Sequence, residues 1–296
     1  RVGQASHHQA ESRTMAVLLA LVSALCYGVS DFSGGLAARR VAATMVVFVS
    51  NGLSLLLAVA VVALLPGSTY SAADMAWGVA AGVVGLFGVV LLYRGLAIGP
   101  MSVVAPLTAV LSAVLPVVVG IARGERPGLM AAAGIVLAIP AMVLIGREPK
   151  GVEADRLSRG ALVSALCAGV GFGGFFILLA QTSSSGGAWP LVPQRAASVV
   201  LLLAWILVAS VRGTTAVPTG RVLGLALIAG ATDFAANLAY VLATHRGLLA
   251  LVAVISSLYP ASTLLLARGI LKERMARHQG AGLVLASGAV VLIALH

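Results

Sequence analysis

Long uncharged apolar runs alternate with short polar intervals along the whole chain, and the runs approach the roughly 20 residues that a helix needs to cross a hydrocarbon core. They predict helices at about 16–37, 43–65, 74–94, 101–122 and 128–146, then at 160–181, 190–211, 221–245, 248–268 and 278–295. The strongly polar interval at 146–159, GREPKGVEADRLSR, holds seven of the 28 charged residues and divides the chain near its middle. The organisation read from this pattern is a polar N-terminal extension at 1–15, a first five-helix repeat at 16–146, a linker at 147–159 and a second five-helix repeat at 160–296.

The two halves repeat one another. LVSALCYGV at 21–29 recurs as LVSALCAGV at 162–170, and AGIVLAIPAMVLI at 133–145 recurs as AGLVLASGAVVLI at 281–293 with nine of thirteen positions identical. The turns before the second pair also match, GERP at 124–127 with KERM at 272–275. Because each unit has an odd number of helices, the second copy crosses the membrane in the opposite sense to the first. The expected fold is an all-α integral membrane protein of ten transmembrane helices in two inverted five-helix repeats, an arrangement many secondary transporters build around a site at the repeat interface.

Composition narrows the class. Of 296 residues, 60% are hydrophobic and only 9% are charged, against about 25% charged in a soluble domain, so no soluble catalytic domain fits. The net charge of +10 comes from Lys and Arg flanking apolar runs, where they anchor helices; no nucleic-acid partner is expected. Cys26 and Cys167 lie within apolar runs and read as packing residues. There is no HExxH, GxSxG or Walker loop and no Cys/His ligand spacing, so neither an enzyme, a metal site, a cofactor nor an ATP-driven pump is expected. Met15 opens the first apolar run and is read as a natural start, with 1–14 set aside.

The two halves, the run YRGLAIGPMSVVAPLTAVLSAVLP at 93–116, its counterpart ATHRGLLALVAVISSLYPASTLLLARGILKER at 243–274 and the closing Gly-rich helices resemble the EamA family of the drug/metabolite transporter superfamily. The resemblance implies a multi-pass carrier of the bacterial inner membrane, usually exporting small metabolites such as amino acids, or drugs, from a cavity between the repeats. Members often carry an arginine in both the second and the seventh helix; here Arg195 is in the seventh, while the second offers Ser50 and Asn51. The resemblance also implies termini inside the cell, whereas 13 Lys and Arg on the linker side against 6 on the other would put them outside.

Polar residues inside the spans are the candidate chemistry. Asp233 falls mid-helix in GATDFAANLAY, where an acid costs about 2.5–3.5 kcal/mol to insert and therefore faces a cavity or a partner. It reads as a proton or substrate site, or as a structural carboxylate satisfied by a neighbouring helix; Asn237 at i+4 shares its face. Asp31 lies nearer the end of helix one, within reach of the interface or of Arg39 and Arg40. The repeat positions of Asp31 and Asp233 are Phe172 and Gly85, so any cavity between the halves is chemically asymmetric. Arg195, near a helix start, either snorkels to the interface or turns inward to pair with Asp233 or hold a substrate carboxylate. Gln181, Asn51, Tyr240 and Tyr259 are weaker candidates, suited to hydrogen bonding across helices. Pro106, Pro116 and Pro260 are expected to interrupt helices four and nine. Glu125 and Glu273, in matching turns, read as structural acids at helix N-termini. The expected partners are a small-molecule substrate, the lipid bilayer, protons and, in a dimeric form, a second copy of the chain. The expected activity is secondary transport by alternating access, most simply export; a lipid-carrier flippase of the same superfamily would instead show an apolar lateral opening, and a non-transporting membrane scaffold a dry repeat interface.

Overall fold

The computed structural model describes residues 2–64, 69–98, 101–147, 158–210, 217–272 and 275–295, so Glu273 and most of the linker lie outside the described residues. The helices are α1 (Val2–Ala38), α2 (Ala43–Leu64), α3 (Ala72–Ile98), α4 (Met101–Ala122), α5 (Leu129–Gly146), α6 (Arg159–Leu179), α7 (Leu191–Ser210), α8 (Gly220–Thr244), α9 (Leu249–Ser256), α10 (Tyr259–Leu271) and α11 (Arg277–Ala294). Among the described residues nine segments are long and apolar enough to span a membrane, α9 and α10 together forming one of them; α4, with its apolar stretch Leu107–Ala122, completes ten passes. The chain is a multi-pass membrane protein.

Helix pairing follows the inverted repeat. The α1–α8 contact in one direction is matched by α6–α3 in the other, α2–α8 by α7–α3, and α1–α10 by α6–α4, while α2–α7, α4–α9 and α5–α11 each pair a helix with its own counterpart. The repeated thirteen-residue motif explains the last of these. Gly134 of α5 packs on Ile293 of α11, and Gly282 of α11 packs on Ile145 of α5, so the first glycine of each copy receives the final isoleucine of the other. Small residues let the two backbones approach where bulkier ones could not. The same rule holds near the centre. Gly82 of α3 meets the Gln194 carbonyl of α7, and Gly230 of α8 meets the Ser50 carbonyl of α2. Each contact is clamped by a serine, Ser198 Oγ donating to Gly82 O at 3.2 Å and Ser54 Oγ to Gly230 O at 2.6 Å.

Helix nine is interrupted next to Pro260, as the sequence predicts: α9, whose eight residues are all buried, ends at Ser256, and Pro260 lies in the first turn of α10. Its fixed φ and missing N–H are tolerated there. Helix four, by contrast, runs without interruption through Pro106 and Pro116. Residues 2–14 continue α1 as helix, and the Ser12 hydroxyl donates to Arg246 O at 3.0 Å in the α8–α9 turn.

Ten passes put both termini and the turns after α2, α4, α6 and α8 on one face, called here the termini face, and the linker on the other. Loops on the termini face are tied across the two halves. Glu125, after α4, accepts from the backbone N–H groups of Leu249 (2.7 Å) and Ala250 (3.0 Å) at the start of α9. Asp74 of α3 accepts from Ser183 N (2.9 Å) and Ser183 Oγ (2.6 Å) after α6. His245, capping α8, places Nε2 2.8 Å from Thr182 O. On the linker face Ser158 Oγ accepts from Ala161 N at 3.1 Å and caps α6.

Candidate functional site between the repeats

Asp233 lies near the middle of the 25-residue α8. It forms an ion pair with Arg195 of α7 through Oδ2 and Nη2. Arg195 turns inward and is buried, on a stretch of α7 whose backbone around Pro190 and Gln194 is admitted closely by Gly78 and Gly82 of α3.

Four further side chains surround the pair. Arg195 Nη1 donates to Asn51 Oδ1 of α2 at 2.8 Å. Ser54, one turn along α2, reaches Asp233 Oδ2 at 3.5 Å, and Asn237 Nδ2 stands 3.4 Å from Asp233 Oδ1 while donating to Asp233 O at 2.7 Å. Tyr27 of α1 lies near both Asp233 and Arg195. Arg195 is sealed, with 8% of its side chain exposed, but Asp233 keeps 24%. The carboxylate thus borders an accessible space while the guanidinium closes its wall. Among the described residues, Arg195 Nε, Asn237 Oδ1 and the Tyr27 hydroxyl are buried with no hydrogen-bond partner. A buried polar group left unpaired costs about 1–3 kcal/mol, so both donor and acceptor capacity here remain for something else to satisfy.

Asp31 shares one face of α1 with Tyr27 at i+4. That face looks between α10, where Thr263 Oγ1 donates to Gly28 O, and α8, where Ser30 Oγ donates to Ala229 O. Asp31 is exposed there and lies near Asp233. An aromatic layer bounds the space on its termini side. Tyr27 stacks edge-on with Phe176 and Tyr259, at centroid distances of 6.1 and 6.3 Å, and Phe176 lies 4.7 Å from Tyr240. Tyr240 is two turns from Asp233 toward that face and its hydroxyl donates to Phe176 O at 3.0 Å. The aromatic layer therefore lies on the termini side of both acids.

The mirror interface is apolar. Gly85, the counterpart of Asp233, packs on Phe175, and Phe172, the counterpart of Asp31, fills the space over Gly88. Of the sequence candidates, Asp233, Asn237, Arg195 and Asn51 form one cluster, with Asp31, Tyr240 and Tyr259 around it. Gln181 stands apart, its amide donating to Ile177 O of its own helix at 2.7 Å. Ser54 and Tyr27 escaped the sequence reading although each is one helical turn from a residue it singled out.

Residues 14–147, which span the first repeat, match the model of the EamA-like transporter family. No curated protein matches the chain. A solved crystal structure superposes with a TM-score of 0.73 over 94% of this chain and 95% of its own, at 16% identity; the likeness shows a shared fold.

Proposed function

We propose that the protein is a secondary transporter of the inner membrane that exports a small, amino-acid-like metabolite by alternating access in exchange for protons. The observation that carries this is the Arg195–Asp233 ion pair, held near the middle of α8 between the inverted repeats, with the Asp233 side chain 24% exposed. Charges at this depth are costly and in membrane proteins mark transport paths. A zwitterion replaces the pair with equal charges: its carboxylate takes Arg195 in a charge-assisted contact and its ammonium takes Asp233. Asn51 holds the guanidinium while this happens. A proton on Asp233 competes with the ammonium, so the carrier crosses with either proton or substrate, which is the requirement for exchange. The aromatic layer serves as the closed gate and the linked loops of the termini face as its latch. Polar rather than apolar lining favours a solute over a lipid carrier.

The test is internal pH in proteoliposomes as amino acids and related metabolites are added to wild type and Asp233→Asn. A solute-dependent proton flux that disappears in the variant is expected; a flux of equal size in both would remove Asp233 from the proton path and overturn this mechanism.

A further inference from the structure

A cavity of about 580 Å³ opens on the termini face, away from the ion pair. It is walled by the first half of α1, the turn between α4 and α5, the α8–α9 turn and α9. Its polar lining includes Arg13, Arg126 and Arg246, and its described lining has no acidic residue. Glu125, beside Arg126, is committed to the first N–H groups of α9. The Arg246 guanidinium donates to Leu242 O at 3.0 Å, which fixes its direction at the end of α8. Deeper in the cavity the lining is apolar, with Val17 of α1 and Leu251 and Ile255 of α9.

A rim of three cations over an aliphatic floor matches an anionic amphiphile better than a free ion, which would leave the floor unused. The place in the membrane agrees. Arg126 lies in the α4–α5 turn and Arg246 at the end of α8, at the level where headgroups lie, and the mouth adjoins Leu129 and Met130, 92% and 56% exposed at the start of α5. Basic pockets between membrane helices are a recurring mode of headgroup recognition. We propose that this cavity binds an anionic phospholipid of the adjoining leaflet, its phosphate between Arg126 and Arg246 with Arg13 beside them, and the start of an acyl chain on Leu251 and Ile255. The lipid is then wedged between α1 and α9, against the Glu125 latch.

Native mass spectrometry on the detergent-purified full chain tests this with phosphatidylglycerol and phosphatidylcholine of identical acyl chains. Preferential, salt-weakened retention of phosphatidylglycerol is expected. Removing the two arginines, as R126Q/R246Q, should weaken it by about five-fold for each, while Arg221→Gln, an exposed site on the opposite face, leaves it unchanged. Equal retention of the two lipids by wild type, a measurement that needs no variant, overturns the proposal; so does unchanged binding to a folded double variant. Displacement by glycerol phosphate or inorganic phosphate at comparable concentration would assign the rim to a soluble anion and also overturn the lipid assignment.

Discussion

Arg195 and Asn51 occupy equivalent positions on α7 and α2 and hydrogen bond to one another at 2.8 Å. The equivalence follows from their neighbours, since Ser198 clamps Gly82 as Ser54 clamps Gly230. The contact therefore lies on the axis relating the repeats, and the asymmetry of the site begins there: one helix supplies a cation, its counterpart an amide. Among the described residues Arg195 is the one buried guanidinium, and Asp233 is its counter-charge. Asp233→Asn should destabilise the protein by about 3–5 kcal/mol, because the remaining charge is left uncompensated. The double variant R195Q/D233N should regain most of that. Thermal unfolding in detergent measures both, and a double variant no more stable than the single one would show that the pair is not the source of the loss.

The close approaches at Gly82 and Gly230 give a second test. A methyl group at either position collides with a backbone carbonyl, Gln194 O or Ser50 O, and backbone cannot swing aside as a side-chain tip can. Gly230→Ala is expected to cost about 1–3 kcal/mol through overpacking and to disturb the neighbouring Asp233. Gly224→Ala, on the same helix with open space around it, should change stability by less than about 0.5 kcal/mol. Equal effects of the two would mean that α2 and α8 are not in contact through Gly230.

Glu125 joins the halves through two charge-assisted hydrogen bonds to the start of α9. Glu125→Ala removes both and exposes two N–H groups at a helix end, a loss of about 2 kcal/mol. Glu125→Gln, which retains one carbonyl acceptor, should lose less. A Glu125→Ala protein as stable as wild type would show that water caps α9 equally well.

Much of this architecture is legible in the sequence because its cause is local or periodic. The inverted repeat is written in the doubled thirteen-residue motif, in which the glycine of each copy packs on the final isoleucine of the other between α5 and α11. Asp233 and Asn237 share a face through helical spacing alone. The direction of Arg195 is different: it goes with the close approach of α7 to α3, a tertiary fact that involves Gly78 and Gly82 some 110 residues earlier. The break after Ser256 is legible through one residue alone, because Leu249–Ser256 is apolar throughout and Pro260 marks the site. Pro116 shows the converse, a proline inside a continuous α4, as neighbouring helices can accommodate the freed carbonyl.

His245 adds a pH dependence outside the spans. Burial lowers its pKa from the ordinary 6.5; the Thr182 carbonyl and Asp74 act in the opposite sense, and Arg246 in the same sense. The neutral ring donates through Nε2 to Thr182 O at 2.8 Å and so ties the loop after α6 to the end of α8. Since the folded state binds a proton less readily than the unfolded chain, this stabilisation is complete above pH 6.5 and is lost as pH falls through the folded-state value. Melting temperature in detergent should drop between pH 7 and pH 5, and His245→Gln, which keeps a donor but cannot titrate there, should flatten the drop. The same curve in both proteins would mean that protonation elsewhere governs acid stability and that the His245 tie survives charging.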